Sequence, residues 1–202
     1  MPKFRIFVIA MDQQALLDSI KRVSNRITGE DLTLLAGCAA ARALKKGEIL
    51  LREGEVCRSF YLVEKGYLRT YCNTKDGAVI NLNFTFEGDF TCNLQSLKGR
   101  KPSEFFIEAG EDGLIWVFDL NSITEQVKQM PAISQFVRRL AIQILLASED
   151  HSKLFKMYTP TERYRYIEKN SPRLLQRIPL SQLSSYLGVA RETLSRIRAK
   201  SG

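Results

Sequence analysis

The spacing of apolar positions changes twice along the chain. Between residues 11 and 46 it is helical: "DQQALLDSIKRV" sets Leu16, Leu17, Ile20 and Val23 on one side. In "TGEDLTLLAGCAAARAL", Thr28 stands as an N-cap before Glu30 and Asp31, and the helical reading runs on to residue 46. From 47 to 120 the pattern is that of short strands broken by glycines at 54, 66, 77 and 88. Between them lie "SFYLVEK", "YLRTYCN" and "AVINLNF", followed by "EFFIEA" and "LIWVFDL" around "GEDG". Turn signals at that interval, flanked by β-branched and aromatic residues, predict an all-β barrel, roll or sandwich, and Asp76-Gly77 predicts a hairpin turn. Beyond residue 122 the spacing is helical again. Ser122 is a candidate cap for a short helix and Pro131 a candidate first residue of a long one.

That long helix carries two apolar faces. Ile133, Val137, Leu140, Ile144, Ala147, His151, Leu154 and Tyr158 follow one another in alternating steps of four and three, a heptad seam that predicts pairing with a second helix. Ile142, Leu145 and Leu146 form the other face, expected to pack on the β module. His151 sits on the seam as an interface histidine. Pro160 is expected to end the helix, "TERYRYIEK" to form a short one, and "NSPRLLQRIP", with two prolines, to be a connector.

The last stretch reads "LSQLSSYLGVARETLSRIRAK". Leu183 and Leu187 are i, i+4 on one helix, and Leu194 and Ile197 are i, i+3 on the next. Gly188 between them supplies the positive φ of a tight turn, and Ser184 is small enough for close helix approach. This is a helix-turn-helix pattern. With Leu194 and Ile197 facing the core, Arg191, Glu192, Ser195, Arg196 and Arg198 face outward. Arginine matches guanine O6 and N7, and glutamate accepts from cytosine N4. Glu192 would repel phosphates, so its place among arginines suits base reading better than charge attraction alone. Ser181, Thr193, Arg198, Lys200 and the basic stretch 163 to 177 are the candidate phosphate contacts.

Charge sharpens that picture. The net charge is +8, and residues 152 to 202 hold eleven Lys/Arg against three acids, so the whole excess lies there. The first 151 residues carry 19 basic and 19 acidic groups and sum to zero. A neutral module followed by a polyanion-binding end accounts for the asymmetry. Hydrophobic content of 45% supports a packed core. No apolar run approaches the ~20 residues of a membrane span. The opening "MPKFRIFVIAM" has too short an apolar part, and no cleavage site, for a signal peptide, so a cytoplasmic protein is expected. Cys38, Cys57, Cys72 and Cys92 form no Cys-x-x-Cys pair and there is a single histidine, so reduced thiols and no metal site are expected. No nucleophile–base pair or carboxylate pair suggests an enzyme.

In its order of elements the chain resembles the Crp–Fnr family of bacterial transcription regulators over residues 30 to 200. "ARETLSRI" carries the most specific match, with "FYLVEKGYLRTY" and "FEGDF" in support. The resemblance implies an α+β chain in three parts. These are a cyclic-nucleotide-binding-like β-roll sensor with flanking helices at 1–125, a dimerisation helix at 126–158, and a helix-turn-helix unit at 159–202 lacking most of the family's β-wing. It implies that Arg191, Glu192 and Arg196 read bases while Thr193 touches the backbone. It also implies a homodimer on double-stranded DNA with RNA polymerase as a further partner.

Cyclic-nucleotide-binding members hold the ribose with a Glu and the phosphate with an Arg followed by Ser or Thr. Here Asn93, before Leu94, replaces the Glu, while Ser103 and Glu104 stand where the Arg and hydroxyl would be. Without that Arg, and with Glu104 repelling an anion, cyclic AMP is not expected to bind in the family manner, and any effector is a different small molecule. Lys98, Arg100 and Lys101 lie nearby and could serve another anion. Two other readings compete: a β-roll that binds a protein or small ligand without specific DNA binding, and a cysteine-based redox or metal sensor, against which the thiol spacing argues.

Overall fold

The computed structural model describes residues 12–121, 123 and 130–201. The expectations for the opening stretch before residue 12, the Ser122 cap and the boundary at 125/126 lie outside them. Two antiparallel sheets of four strands face each other. The strands are β1 (Ala39–Leu44), β2 (Ile49–Leu51), β3 (Ser59–Lys65), β4 (Leu68–Asn73), β5 (Val79–Thr85), β6 (Phe90–Thr91), β7 (Phe106–Ala109) and β8 (Gly113–Asp119). One sheet runs β1-β8-β3-β6 and the other β2-β7-β4-β5. The core that the sheets share with the helices packed on them includes Phe60, Leu62, Leu68, Ile107, Ile115 and Phe118, all nearly solvent-free, with Phe60 and Phe118 stacked at 4.6 Å. The β4–β5 hairpin turns at Gly77 (φ 84°), as Asp76-Gly77 predicts.

Helix α1 (Gln13–Val23) starts at Asp12, whose carboxylate accepts from the Gln14 and Ala15 amides, and it buries Leu16, Ile20 and Val23. Helix α2 (Gly29–Gly37) begins after Thr28, which holds the cap position without a side-chain bond. The helix expected to reach residue 46 stops at Gly37. "AAARAL" instead pairs as β1 along β8, Ala39 opposite Phe118 through Leu44 opposite Gly113. Alanine favours a helix, but a ladder of tertiary hydrogen bonds outweighs a propensity of a few tenths of a kcal/mol per residue. Helix α3 (Leu94–Gly99) is short, and the long helix α4 spans Pro131–Met157 with Pro131 in its first turn.

The faces of α4 are exchanged relative to the sequence reading. Ile133 and Leu140 of the heptad seam are buried beside Phe136 in the chain's own core, with Val137 and Ile144 partly buried against it. His151 and Leu154 also turn toward the chain itself, and Ala147 is exposed. Ile142 (50% exposed), Leu145 (61%) and Leu146 (51%), expected to cover the β module, face outward. Both faces are apolar, so periodicity alone could not say which one the roll covers.

The C-terminal unit has helices α5 (Pro160–Asn170), α6 (Pro172–Arg177), α7 (Leu180–Leu187) and α8 (Arg191–Ser201). Helix α5 opens with a capping box between Thr159 and Glu162. The expected connector "NSPRLLQRIP" forms α6, with Pro172 as its helix-starting residue. The core of this unit, including Tyr164, Ile167, Leu183, Leu187, Leu194 and Ile197, continues into Tyr67, Phe84 and Phe86 of the β-roll. Helix α7 lies along β5, an edge strand of its sheet. Ser185 Oγ accepts from the Asn81 amide at 3.0 Å and donates to the Val79 carbonyl at 2.8 Å, and Asn81 Nδ2 donates to the Gln182 carbonyl. One hydroxyl thereby takes up two backbone groups of an edge that would otherwise be open to strand pairing.

Leu140→Ala is expected to lower the free energy of urea unfolding by about 2–5 kcal/mol, and Ala147→Ser, on the same seam but exposed, by less than about 0.5 kcal/mol. Equal losses at the two positions would contradict this placement of α4.

Candidate nucleic-acid interface

Gly188 ends α7 in the left-handed conformation (φ 62°), and after a three-residue link α8 begins at Arg191. Leu194 and Ile197 are buried, which fixes the rotation of α8 about its axis. The opposite side exposes Arg191, Glu192, Ser195, Arg196, Arg198 and Lys200, while Thr193 is half-buried. Arg191, Glu192, Ser195 and Arg196 line one shallow recess with Leu180. Ser181 is exposed in the first turn of α7, where free backbone N–H groups favour an anion. The outward arginine–glutamate face expected of α8 is therefore formed, with its polar groups open to a partner.

The basic stretch 163 to 177 divides in two. Arg165, Lys169 and Arg173 are exposed. Arg163 is buried, and its Nη1 donates to the Leu187 carbonyl at 2.6 Å. Arg177 makes a bidentate pair with Glu87 at 2.7 and 2.8 Å, bonds Glu111 as well, and lies over the rings of Tyr67 and Phe86. Arg163 and Arg177 are thus engaged inside the protein and are not phosphate contacts. Burial pushes the Glu87 carboxyl up, but hydrogen bonds from Arg177 and the Gly66 amide outweigh it and hold the group below its ordinary value of 4.5. Their bonds to Arg177 hold the C-terminal unit on the turns that follow β5 and β7.

His151 stacks on Tyr186 of α7 at 4.3 Å and meets Phe155 edge-on, with Nε2 3.3 Å from the Tyr186 carbonyl. It is an interface histidine, but the interface is with this chain's own α7. Burial pushes its pKa below the ordinary 6.5, overcoming the opposite pull of the carbonyl.

Two of the effector-pocket candidates, Asn93 and Ser103, are brought together and bond one another. Asn93 Oδ1 accepts from the Ser96 amide and caps α3, and Asn93 Nδ2 donates to Ser103 Oγ at 2.8 Å. The Ser103 hydroxyl donates to the Phe105 carbonyl. Both side chains are buried, Leu94 is half-buried and Glu104 is exposed. Lys98, Arg100 and Lys101 are exposed alongside. Cys57 and Cys92 are buried, and burial pushes both thiols up, away from the reactive thiolate. Among the described residues no group of three or more His, Cys, Asp or Glu is placed to hold a metal, and no helix is long and apolar enough to cross a membrane.

Several contacts escaped the sequence reading. Arg163 had a local signal, because it stands four residues before the buried Ile167 on the apolar side of α5. Ser185, Asn81 and the acids that hold Arg177 had none, since they meet across sequence separations of 66 residues or more.

Comparison with known proteins agrees with this architecture. The family described as Cyclic nucleotide-binding domain matches residues 41–130. The chain is 24% identical over 167 residues to the fumarate and nitrate reduction regulatory proteins of Escherichia coli K12 and Salmonella typhimurium, a match covering 77% of this chain and 66% of theirs. The match thus spans just under two thirds of those relatives' length. Among solved structures, FixK2 from Bradyrhizobium japonicum aligns with a TM-score of 0.70 and 22% identity over 80% of this chain and 83% of that one. A crp/fnr-family putative transcriptional regulator from Eubacterium rectale gives 0.65 and 20% over 86% and 82%. The chain has the fold of Crp/Fnr transcription regulators, with a cyclic-nucleotide-binding-type β-roll. The matched relatives of Escherichia coli and Salmonella typhimurium are, by name, regulatory proteins.

Two pH windows follow. A depressed imidazole pKa means that the unfolded chain takes up the proton first, so the His151 contribution is complete above 6.5 and is lost as pH falls below it. The Glu87 contribution is complete above 4.5 and is lost as pH falls through the depressed folded value. Thermal midpoints measured from pH 8 to pH 3 are expected to fall in both windows, with His151→Phe flattening the upper and Glu87→Gln the lower. Unchanged profiles in these variants would contradict the assignment.

Proposed function

We propose that the chain is a homodimeric, sequence-specific DNA-binding transcription regulator whose reading element is α8. The observation that carries the reading is the division of α8 into a buried side, Leu194 and Ile197, and an exposed side bearing Arg191, Glu192, Ser195 and Arg196. In this reading Arg191 and Arg196 contact guanine edges and Glu192 accepts from cytosine, while Ser181, Thr193, Arg198 and Lys200 hold phosphates.

The dimer face is Ile142, Leu145 and Leu146 of α4, in place of the buried seam. Three large apolar side chains, each at least half exposed, are an unusual solvent face for a helix. A second copy packed there by two-fold symmetry would present two copies of α8 together. Successive major-groove faces are about 34 Å apart, which would make the site an inverted repeat. RNA polymerase is the downstream partner and the cytoplasm the place of action.

The β-roll is the sensory part. Asn93 and Ser103 spend their hydrogen bonds on each other and on the backbone, and no arginine takes the place that pairs with a cyclic phosphate. Any effector is therefore a small molecule other than cyclic AMP bound in the usual way. It would act only by binding one dimer geometry better than another.

Arg191→Ala is expected to cost about 1–3 kcal/mol of affinity for a preferred duplex and to relax selection at one base position, read by fluorescence anisotropy. If Arg191→Ala and Glu192→Ala both leave the sequence preference intact, α8 is not the reader. Affinity that fails to fall steeply with added salt would favour the β-roll as a protein- or ligand-binding module instead. Leu145→Glu is expected to sediment as a folded monomer; an undisturbed dimer would exclude this face.

A further inference from the structure

Arg163 sits where three elements meet, away from the exposed face of α8. It is 9% exposed. Its Nη1 reaches the carbonyl of Leu187, the last residue of α7, at 2.6 Å. Its guanidinium carbon lies 4.7 Å from the centre of the Phe155 ring on α4. The next residue, Gly188, packs into the same corner: a Cβ there would stand 2.6 Å from Phe155 Cε1 and 3.2 Å from Arg163 Nη1. One side chain on α5 thus ties the end of α4 to the turn that launches α8.

Stability alone does not account for an arginine here. Its Nε is buried with no hydrogen-bond partner. Burying a guanidinium costs free energy that the negative end of α7 and the face of one aromatic ring offset only in part. An apolar side chain of similar volume would fill the corner at lower cost. What the arginine adds is direction. A planar donor held against a ring fixes where the Leu187 carbonyl points, and with it the angle at which α8 leaves the turn.

We infer that Arg163 is a positioning residue for DNA reading, setting the tilt of α8 and coupling it to the C-terminal end of α4. This rests on the proposed role of α8 as the reading helix. Eleven residues of helix span about 16 Å, so a tilt of about 10° carries its far end through about 3 Å. A bidentate contact to a base edge does not survive such a shift, whereas long basic side chains on phosphates follow it. Loss of Arg163 therefore removes discrimination between sequences and spares non-specific affinity.

The test compares the full-length protein with Arg163→Met, Arg163→Lys and Phe155→Leu. Each is titrated by anisotropy against the duplex that wild type prefers and against a scrambled duplex of equal length, across a salt series. Amide hydrogen exchange of α7 and α8 is measured without DNA. The expected result for Arg163→Met is an affinity for the preferred duplex lower by about tenfold or more, with the scrambled duplex and the salt slope unchanged and exchange faster in the turn and α8. Arg163→Lys, which keeps a donor but not the plane, should recover part of the loss. Phe155→Leu should lose discrimination in the same sense, and carries the test if Arg163→Met does not fold. Equal losses on both duplexes, or unchanged exchange in α8, would overturn the inference. A wild type that does not discriminate sequences would overturn the DNA-reading proposal instead, and the exchange result would still judge the junction on its own.

Discussion

One stripe of side chains along α4 holds the molecule together. At its N-terminal end Ile133, Phe136 and Leu140 close the core of the β-roll. At its C-terminal end His151 stacks on Tyr186 and Phe155 carries the guanidinium of Arg163. Both units are registered on a single 27-residue rod. A helix of this length cannot bend sharply without a proline, a glycine pair or a bulge, and its interior has neither proline nor glycine. A displacement at the roll end is therefore felt at the end that carries the helix-turn-helix unit.

A second connection runs outside the rod. Ser185 closes the edge of β5, and Arg177 is gripped by Glu87 and Glu111 across a patch of aromatic rings. These contacts are polar and partly exposed, whereas the stripe on α4 is mostly apolar. The apolar stripe contributes most of the stability, since burial of a large aliphatic side chain is worth about 1.5–3 kcal/mol and an exposed ion pair below about 1 kcal/mol. The polar contacts are the ones that pH and salt can loosen, and they let the β-roll touch the C-terminal unit directly as well as through α4.

Much of this architecture was legible in the sequence. The glycine-punctuated runs gave β3, β4 and β5 nearly to the residue, and the apolar spacing around Gly188 gave the helix-turn-helix. The readings that failed did so for separable reasons. "AAARAL" has the composition of a helix, and only its distant partner β8 makes it a strand. The heptad spacing of α4 marks a genuine apolar face, but a period says that a face is buried and not by what; the chain's own roll covers its first half and α7 meets it at His151, which leaves Ile142, Leu145 and Leu146 outside. Arg163 and Arg177 were counted with the phosphate-binding charges because charge is visible in a sequence and burial is not. The exposed side of α8 was readable because one short helix carries all of it.

The central claim is that pairing through α4 presents two copies of α8 to one face of a duplex. Selection of DNA from a random library by the purified full-length protein, at moderate ionic strength, tests it most directly. The account predicts enrichment of an inverted repeat whose half-site centres lie about 10–10.5 base pairs apart. A library that emerges without sequence preference, or with single half-sites lacking symmetry and fixed spacing, would contradict it.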